Sequence, residues 1–333
     1  MRKSYKYIGA IVLLLAIIIV GLPKVVSISI QREQSEEQSN LPAQFPITVD
    51  PKNKVITENN TVNKYLEGTS SPLMASVGNL IEPIWNILKT VGIKIGTANW
   101  YHNAASLASL NGQFVEIYPG MRKEQVVNAF AKTLDWSESD KQQFLNGNTN
   151  SDFYFSEGAF YPTTYFIDPT MTPEFVRSIV DKKFNENVLK RYGTSTAELV
   201  PVKQALILAS IIQRETIGNE DVRLISGILW NRLFINMNLQ VDATLQYAKA
   251  NKNKTEWWPK VAPKDKYIKS PFNTYMNNGL PPAPIANPSV GAILATLNPI
   301  KTSCLYYFND KDGEFHCSET YAEHVKQIRK YYK

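Results

Sequence analysis

The feature that most constrains this chain is an uncharged apolar run near its start, YIGAIVLLLAIIIVGL at residues 7–22, preceded by the basic MRKSYK and followed by Pro23 and Lys24. A bilayer-crossing helix needs about 20 apolar residues, and Val25, Val26, Ile28 and Ile30 extend the greasy character toward that length. A cleavable secretory leader has a shorter apolar core and a small-x-small cleavage site. Ser27-Ile28-Ser29 offers only a weak version of such a site. Residues 1–30 therefore read as an uncleaved transmembrane signal-anchor, with cleavage as the alternative. Basic residues ahead of the run put the N-terminus in the cytoplasm and the rest of the chain outside. No cysteine lies near residue 23, which argues against a lipid anchor.

A chain of 333 residues is long enough for two compact domains. Four of the six net positive charges are Arg2, Lys3, Lys6 and Lys24. The remainder of the chain is nearly balanced, which excludes the basic surface of a nucleic-acid binder. Residues 31–75 are polar, with few β-branched or aromatic clusters, and read as a linker. Globular patterning starts at about 76 with VGNLIEPIWNILKTVGI, helical in spacing but broken by Pro83. QFVEIYPGM alternates like a short strand. An amphipathic helix follows, with Val126, Val127, Phe130 and Leu134 on one face, and then a helix capped by Ser137. SEGAFYPTTYFIDP reads as loop or strand, and 172–192 as a helix capped by Thr172 with Pro173 at its first position. Further helices are expected from Pro201 to Gly218, at about 220–236 and over VGAILATLN. A hairpin, CLYYFNDKDGEFHC, and a short helix at 320–332 close the chain. The class is α+β.

The stretch LILASIIQRET (206–216) carries a carboxylate into apolar surroundings. At helical spacing Glu215 shares a face with Leu208, Ile211 and Ile212. Dehydration on such a face raises a carboxyl pKa, and an acid still protonated near neutral pH is what glycosidic cleavage requires of its proton donor. The plainer reading is a core-rim glutamate paired with Arg214 or Arg232, or simply solvated. LQVDATLQY and SPFNTYMNNGLPPAPIANPS add Gln, Asp, Thr, Asn and Tyr on what reads as irregular backbone, the side chains that hydrogen-bond or stack on sugars. A proline-rich loop holds its shape at little entropic cost, though alone it is more often a connector.

LILASIIQRET, NRLFINMNLQVDATLQY, SPFNTYMNNGLPPAPIANPS, TYAEH and EGAFYPTTY together resemble, in order and spacing, the endolytic murein transglycosylase family of the MltG, or YceG-like, type. VEIYPGMRKEQVVNAFAKTL is similar to that family's small LysM-like module. The resemblance implies a LysM-like α+β module with a preceding helix at 76–155 and a mostly helical catalytic domain with a β-hairpin at 156–333. It also implies an enzyme that cuts peptidoglycan glycan strands internally, between N-acetylmuramic acid and N-acetylglucosamine. The muramic C6 hydroxyl attacks in place of water and leaves a 1,6-anhydro end. Glu215 corresponds to the catalytic acid, and no second carboxylate is obligatory when the sugar is its own nucleophile. Gln240, Asp242, Thr244 and Tyr247 match LQ-x-D-x-T-x-x-Y, and Asn273 and Tyr275 match the family's [YF]NTY. These six are the implied substrate-binding residues. Asp242 reads equally as a helix cap, and Arg232 as a structural partner. Cell-wall synthases are the implied protein partners, and no cofactor is implied.

The chain departs from the family pattern in several places. Gln213 stands where an acid is common, Ala283 where GLPPGPI has Gly, and Phe315 and Cys317 where the hairpin has histidine-x-phenylalanine. Cys304 and Cys317, the chain's two cysteines, fall on facing strands, so either a cross-strand disulfide or two separate thiols is expected. His102, His316 and His324 are too scattered for a metal site, and no HExxH spacing occurs. The departures keep two rivals open: an inactive membrane-tethered peptidoglycan-binding scaffold, and a hydrolase that uses water on the same cleft.

Overall fold

The computed structural model describes residues 41–58, 62–66, 112–147, 157–216, 222–253 and 256–332, together with residues 28, 29, 32, 34, 35, 39 and 40. The expected signal-anchor lies almost wholly outside the described residues, as does the apolar segment 76–92. Among the described residues, no helix is long and apolar enough to cross a membrane.

The main core forms around the helix Val202–Glu215, in which every residue from Ala205 to Ile212 is buried. A helix apolar around most of its circumference must be covered on several sides. Three helices supply that cover: Val222–Phe234, Asp242–Asn253 and Val290–Leu297. The last of these is short but apolar along most of its length, and Ser289 caps it by accepting from Ala292 N at 3.1 Å. The segment 242–247, expected on irregular backbone, is instead the first half of a helix.

A second, smaller core belongs to a strand–helix–helix–strand unit. Strand Gln113–Glu116 pairs antiparallel with Thr164–Ile167, Gln113 opposite Ile167 and Glu116 opposite Thr164. Helices Lys123–Leu134 and Glu138–Asn146 lie between the two strands in the chain. Val126, Val127, Phe130 and Leu134 are buried, as their spacing requires, against Phe144, Phe160, Tyr165 and Ile167. Ser137 caps the second helix by accepting from Asp140 N. Helix Pro173–Asn187, capped by Thr172, packs on that second helix and then tightens into a 3-10 turn at Leu189–Arg191. The strand pair thus spans the division expected at residues 155 and 156.

The linker expected over 31–75 is corrected for its described middle part. Phe45, Val49, Ile56 and Val62 are buried in the main core. A small hairpin, Val49–Asp50 with Val55–Ile56, forms there, and Thr48 N donates to Leu297 O at 2.9 Å. Phe45, Ile47 and Val49 alternate in a short stretch, with Val55 and Ile56 further on, between longer polar segments, so composition over the whole region averages them away.

The two cores are stitched by the proline-rich loop. Asn287 Oδ1 accepts from Phe160 N at 2.9 Å and its Nδ2 donates to Met121 O at 2.8 Å. Gly158, at φ +85°, lets Pro284 come close: a Cβ there would lie 2.7 Å from the proline ring. The loop is also pinned to the Val202–Glu215 helix. Ile285 N donates to Ser210 Oγ at 3.0 Å, and Ser289 N to Gln213 Oε1 at 3.0 Å. Gln213 therefore has a structural partner. Ala283 does not occupy the left-handed region, so the alanine imposes no backbone strain.

Candidate active site

Glu215 is the last residue of its helix; Thr216 leaves in extended conformation, and its hydroxyl donates back to Ile212 O at 3.1 Å. The carboxylate therefore sits at the negative end of the helix dipole, which disfavours its charge. Glu215 Oε2 accepts a hydrogen bond from Tyr307 O–H at 2.8 Å. Oε1 meets the Ala243 N–H, in the first turn of the Asp242–Asn253 helix, at a longer 3.4 Å. Dehydration raises the Glu215 pKa and is the largest influence. The Tyr307 and Ala243 donors pull it down, Asp242 pushes it up, and Arg214 pulls it down. Glu215 is partly exposed as a residue, while its carboxyl group lies deep enough for dehydration to govern its titration. Tyr307 is pushed well above the usual tyrosine range, chiefly by burial and then by Glu215, so it is a neutral donor.

Asp242 is exposed beside the acid and accepts from Tyr275 O–H at 2.7 Å. Tyr275 is half-buried, with Lys266 Nζ over its ring at 4.9 Å. Gln240 is exposed, at φ +51°, and its N–H donates to Thr274 O. Arg214 stacks its guanidinium on Trp258 at 4.0 Å. The neighbourhood of Glu215 thus includes a carboxylate, a guanidinium and aromatic rings.

Three residues expected to bind substrate are enclosed instead. Asn273 is fully buried; its Nδ2 donates to Lys266 O and Ile268 O, and its Oδ1 accepts from Tyr275 N. Thr244 is fully buried, donates to Val241 O at 2.6 Å, and meets Thr274 Oγ1 at 2.9 Å. Tyr247 is buried against Phe272, beneath the Arg122 guanidinium at 4.1 Å. Their hydrogen-bonding capacity is used inside the protein, so as placed they hold the wall that presents Tyr275 and Asp242. Arg232 is likewise structural. Its Nε donates to Leu305 O at 2.7 Å and its Nη1 to Leu239 O, tying the C-terminal hairpin to the loop before Asp242.

The hairpin, Tyr306–Asn309 paired with Phe315–Ser318, carries Tyr307 to the acid, and a disulfide joins Cys304 to Cys317. Tyr307 escaped the reading of the sequence because CLYYFND looks like any aromatic strand. Asp310, Glu314 and His316 gather at the hairpin turn, with His316 Nε2 2.7 Å from Asp310 Oδ2. Asp310 also accepts from the Asp312 and Glu314 N–H groups, so it shapes the turn.

A second carboxylate is enclosed more completely than Glu215. Glu157, in EGAFYPTTY, is 3% exposed. Its Oε1 accepts from Lys123 N at 2.8 Å, and Tyr247 O–H approaches its Oε2 at 3.5 Å. Burial is the main cause that lifts its pKa to about 8.

Several known proteins are similar to this chain. The endolytic murein transglycosylase of Bacillus subtilis (strain 168) is 36% identical over 197 residues, covering 57% of this chain and 53% of the relative. That of Streptococcus pneumoniae serotype 2 (strain D39 / NCTC 7466) is 30% identical over 179 residues, covering 53% of this chain and 32% of the relative. The match thus spans about half the length of the first relative and a third of the second. A crystal structure of a yceG-like protein from Listeria monocytogenes superposes with a TM-score of 0.56 at 29% identity, over 64% of this chain and 75% of that one. The family described as YceG-like matches residues 97–330, well over half of the sequence, and the chain belongs to it.

Proposed function

We propose that this chain is an endolytic murein transglycosylase that cleaves the bond between N-acetylmuramic acid and N-acetylglucosamine in peptidoglycan glycan strands. The carrying observation is Glu215: a carboxyl group whose pKa is raised by burial, on a partly exposed residue, held by a neutral tyrosine. The protonated acid delivers its proton to the glycosidic oxygen as the C1–O bond breaks. The resulting carboxylate then takes the proton of the muramic C6 hydroxyl as that oxygen bonds to C1. The products are an N-acetylglucosamine 4-hydroxyl and a 1,6-anhydro end, and the enzyme regains its proton. In this reading Gln240, Asp242 and Tyr275 meet sugar hydroxyls and acetamido groups, and Trp258 and Tyr275 offer ring faces; the exposure of Gln240 and Asp242 supports it. Thr244, Tyr247 and Asn273 serve by fixing that wall.

The strand–helix–helix–strand unit acts as a LysM-like glycan-holding module, and residues 1–30 tether the enzyme to the membrane, where nascent strands and cell-wall synthases are found. The charge of Asp242 beside Glu215 favours one second reading, a hydrolase with two carboxylates. Product chemistry tests both. The full chain in detergent is incubated with purified glycan strands beside Glu215→Gln, and the products are weighed by mass spectrometry. Anhydro-ended fragments from the unmodified protein alone support the transglycosylase. Reducing ends shift the assignment to hydrolase, and intact strands with retained binding to an inactive scaffold.

A further inference from the structure

We propose that Tyr307 is a positioning residue for the reaction, dictating which oxygen of Glu215 carries the transferred proton. This rests on the reading of Glu215 as proton donor. A protonated carboxyl group has one O–H and one carbonyl oxygen, and the carbonyl is the better acceptor. Tyr307 O–H lies 2.8 Å from Oε2 and donates to it. Oε2 is thereby held as the carbonyl oxygen, and the proton is placed on Oε1, whose own contact is a long 3.4 Å approach of the Ala243 N–H.

Among the described residues, the side chains around Glu215 leave this task to Tyr307. Arg214, its neighbour on the same helix, is stacked on Trp258. Arg232, on the Val222–Phe234 helix, spends its guanidinium on the Leu305 and Leu239 carbonyls. Tyr275, on the proline-rich side, gives its O–H to Asp242, and Asp242 itself offers only acceptors. Tyr307 is neutral, and its ring stacks on Phe315 across the hairpin at a centroid distance of 5.8 Å. Its strand partner is Cys317, which the disulfide ties to Cys304. The donor is thus held by a stapled hairpin rather than by a free loop.

The consequence is differential. While Glu215 is protonated, Tyr307 makes a neutral hydrogen bond. Once the proton has left, the same bond falls on a carboxylate and strengthens. Tyr307 therefore stabilises the state formed by proton transfer more than the resting acid, the condition for lowering a barrier rather than only tightening binding.

Tyr307→Phe tests this with the ring and its stacking retained. The expected outcome is a fall in kcat of roughly tenfold to a hundredfold, as for loss of a hydrogen bond to a charged group, with KM nearly unchanged. The alkaline limb of the pH–rate profile moves to higher pH, because the donor that pulled the Glu215 pKa down is gone. A carbon-13 NMR titration of the Glu215 carboxyl, in both proteins without substrate, reads the same upward shift independently of activity. An unchanged rate and titration overturns the proposal, and so does a slower enzyme whose pH profile and titration do not move. If the unmodified protein leaves glycan intact, the proposed reaction falls and with it any catalytic role of Tyr307. The titration then still reports whether the Glu215–Tyr307 coupling exists.

Discussion

Glu157→Gln is expected to make the protein's stability less dependent on pH, and the size of the effect follows from where Glu157 lies. The side chain is enclosed between the two cores, with the Lys123 N–H and the Tyr247 hydroxyl as its neighbours. Burial leads the rise of its pKa from an ordinary 4.5 to about 8. Glu124 adds to the rise, while the Lys123 N–H, Arg122 and Lys123 oppose it. Between those two values the folded protein holds a proton that the unfolded chain has released. Stability from this group is therefore complete below about pH 4.5, drains away as pH rises, and is lost above about 8. Each unit of difference is worth about 1.4 kcal/mol, so the whole span is on the order of 5 kcal/mol. Glutamine keeps the shape and an acceptor for Lys123 N but cannot ionise. Urea unfolding of both proteins at half-unit steps from pH 5 to 9 isolates the effect, because other titrating groups cancel in the difference. The variant should gain steadily on the unmodified protein up to about pH 8 and then run parallel. Parallel curves throughout, or a wild type that gains with pH, would refute the reasoning. Glu157 would then be an ionised partner of Arg122.

Three further outcomes can be checked. Replacing Cys304 and Cys317 by serine removes a bridge across 13 positions, and should cost about 3 kcal/mol of stability in urea unfolding. Activity should fall too, since the hairpin carries Tyr307. Asp242→Asn removes the negative neighbour that lifts the Glu215 pKa. Its pH–rate profile should lose activity at lower pH on the alkaline side. Gly227→Ala puts a Cβ 2.1 Å from the Ile300 carbonyl oxygen, where backbone meets helix. About 1–3 kcal/mol or more of destabilisation should appear as a lower Tm.

Periodic elements were legible in the sequence because each helix announces itself locally. The face of Val126, Val127, Phe130 and Leu134, the caps Ser137 and Thr172, and the apolar run ending at Glu215 depend on near neighbours in the chain. The middle of the expected linker was not legible, because its backbone is held by partners far away in the chain, Phe45 N by the Arg191 carbonyl and Thr48 N by the Leu297 carbonyl. The site divides in the same way. Glu215 stood out as a charge on an apolar face. Asn273 and Thr244 look like sugar ligands by residue type, and only the fold shows their polar atoms turned inward.

The surroundings of Glu215 combine opposing influences, and the opposition suits a group that must give a proton and then take one. Dehydration, the C-terminal end of its own helix and the charge of Asp242 favour the neutral acid. The Tyr307 hydroxyl and the Ala243 N–H, at the start of the neighbouring helix, favour the carboxylate. The first set favours holding the proton, and the second favours releasing it. Two helices meet end to start at one carboxylate, and the hairpin brings in a tyrosine, so opposing influences act on the one residue that the proposed reaction uses in turn as acid and base.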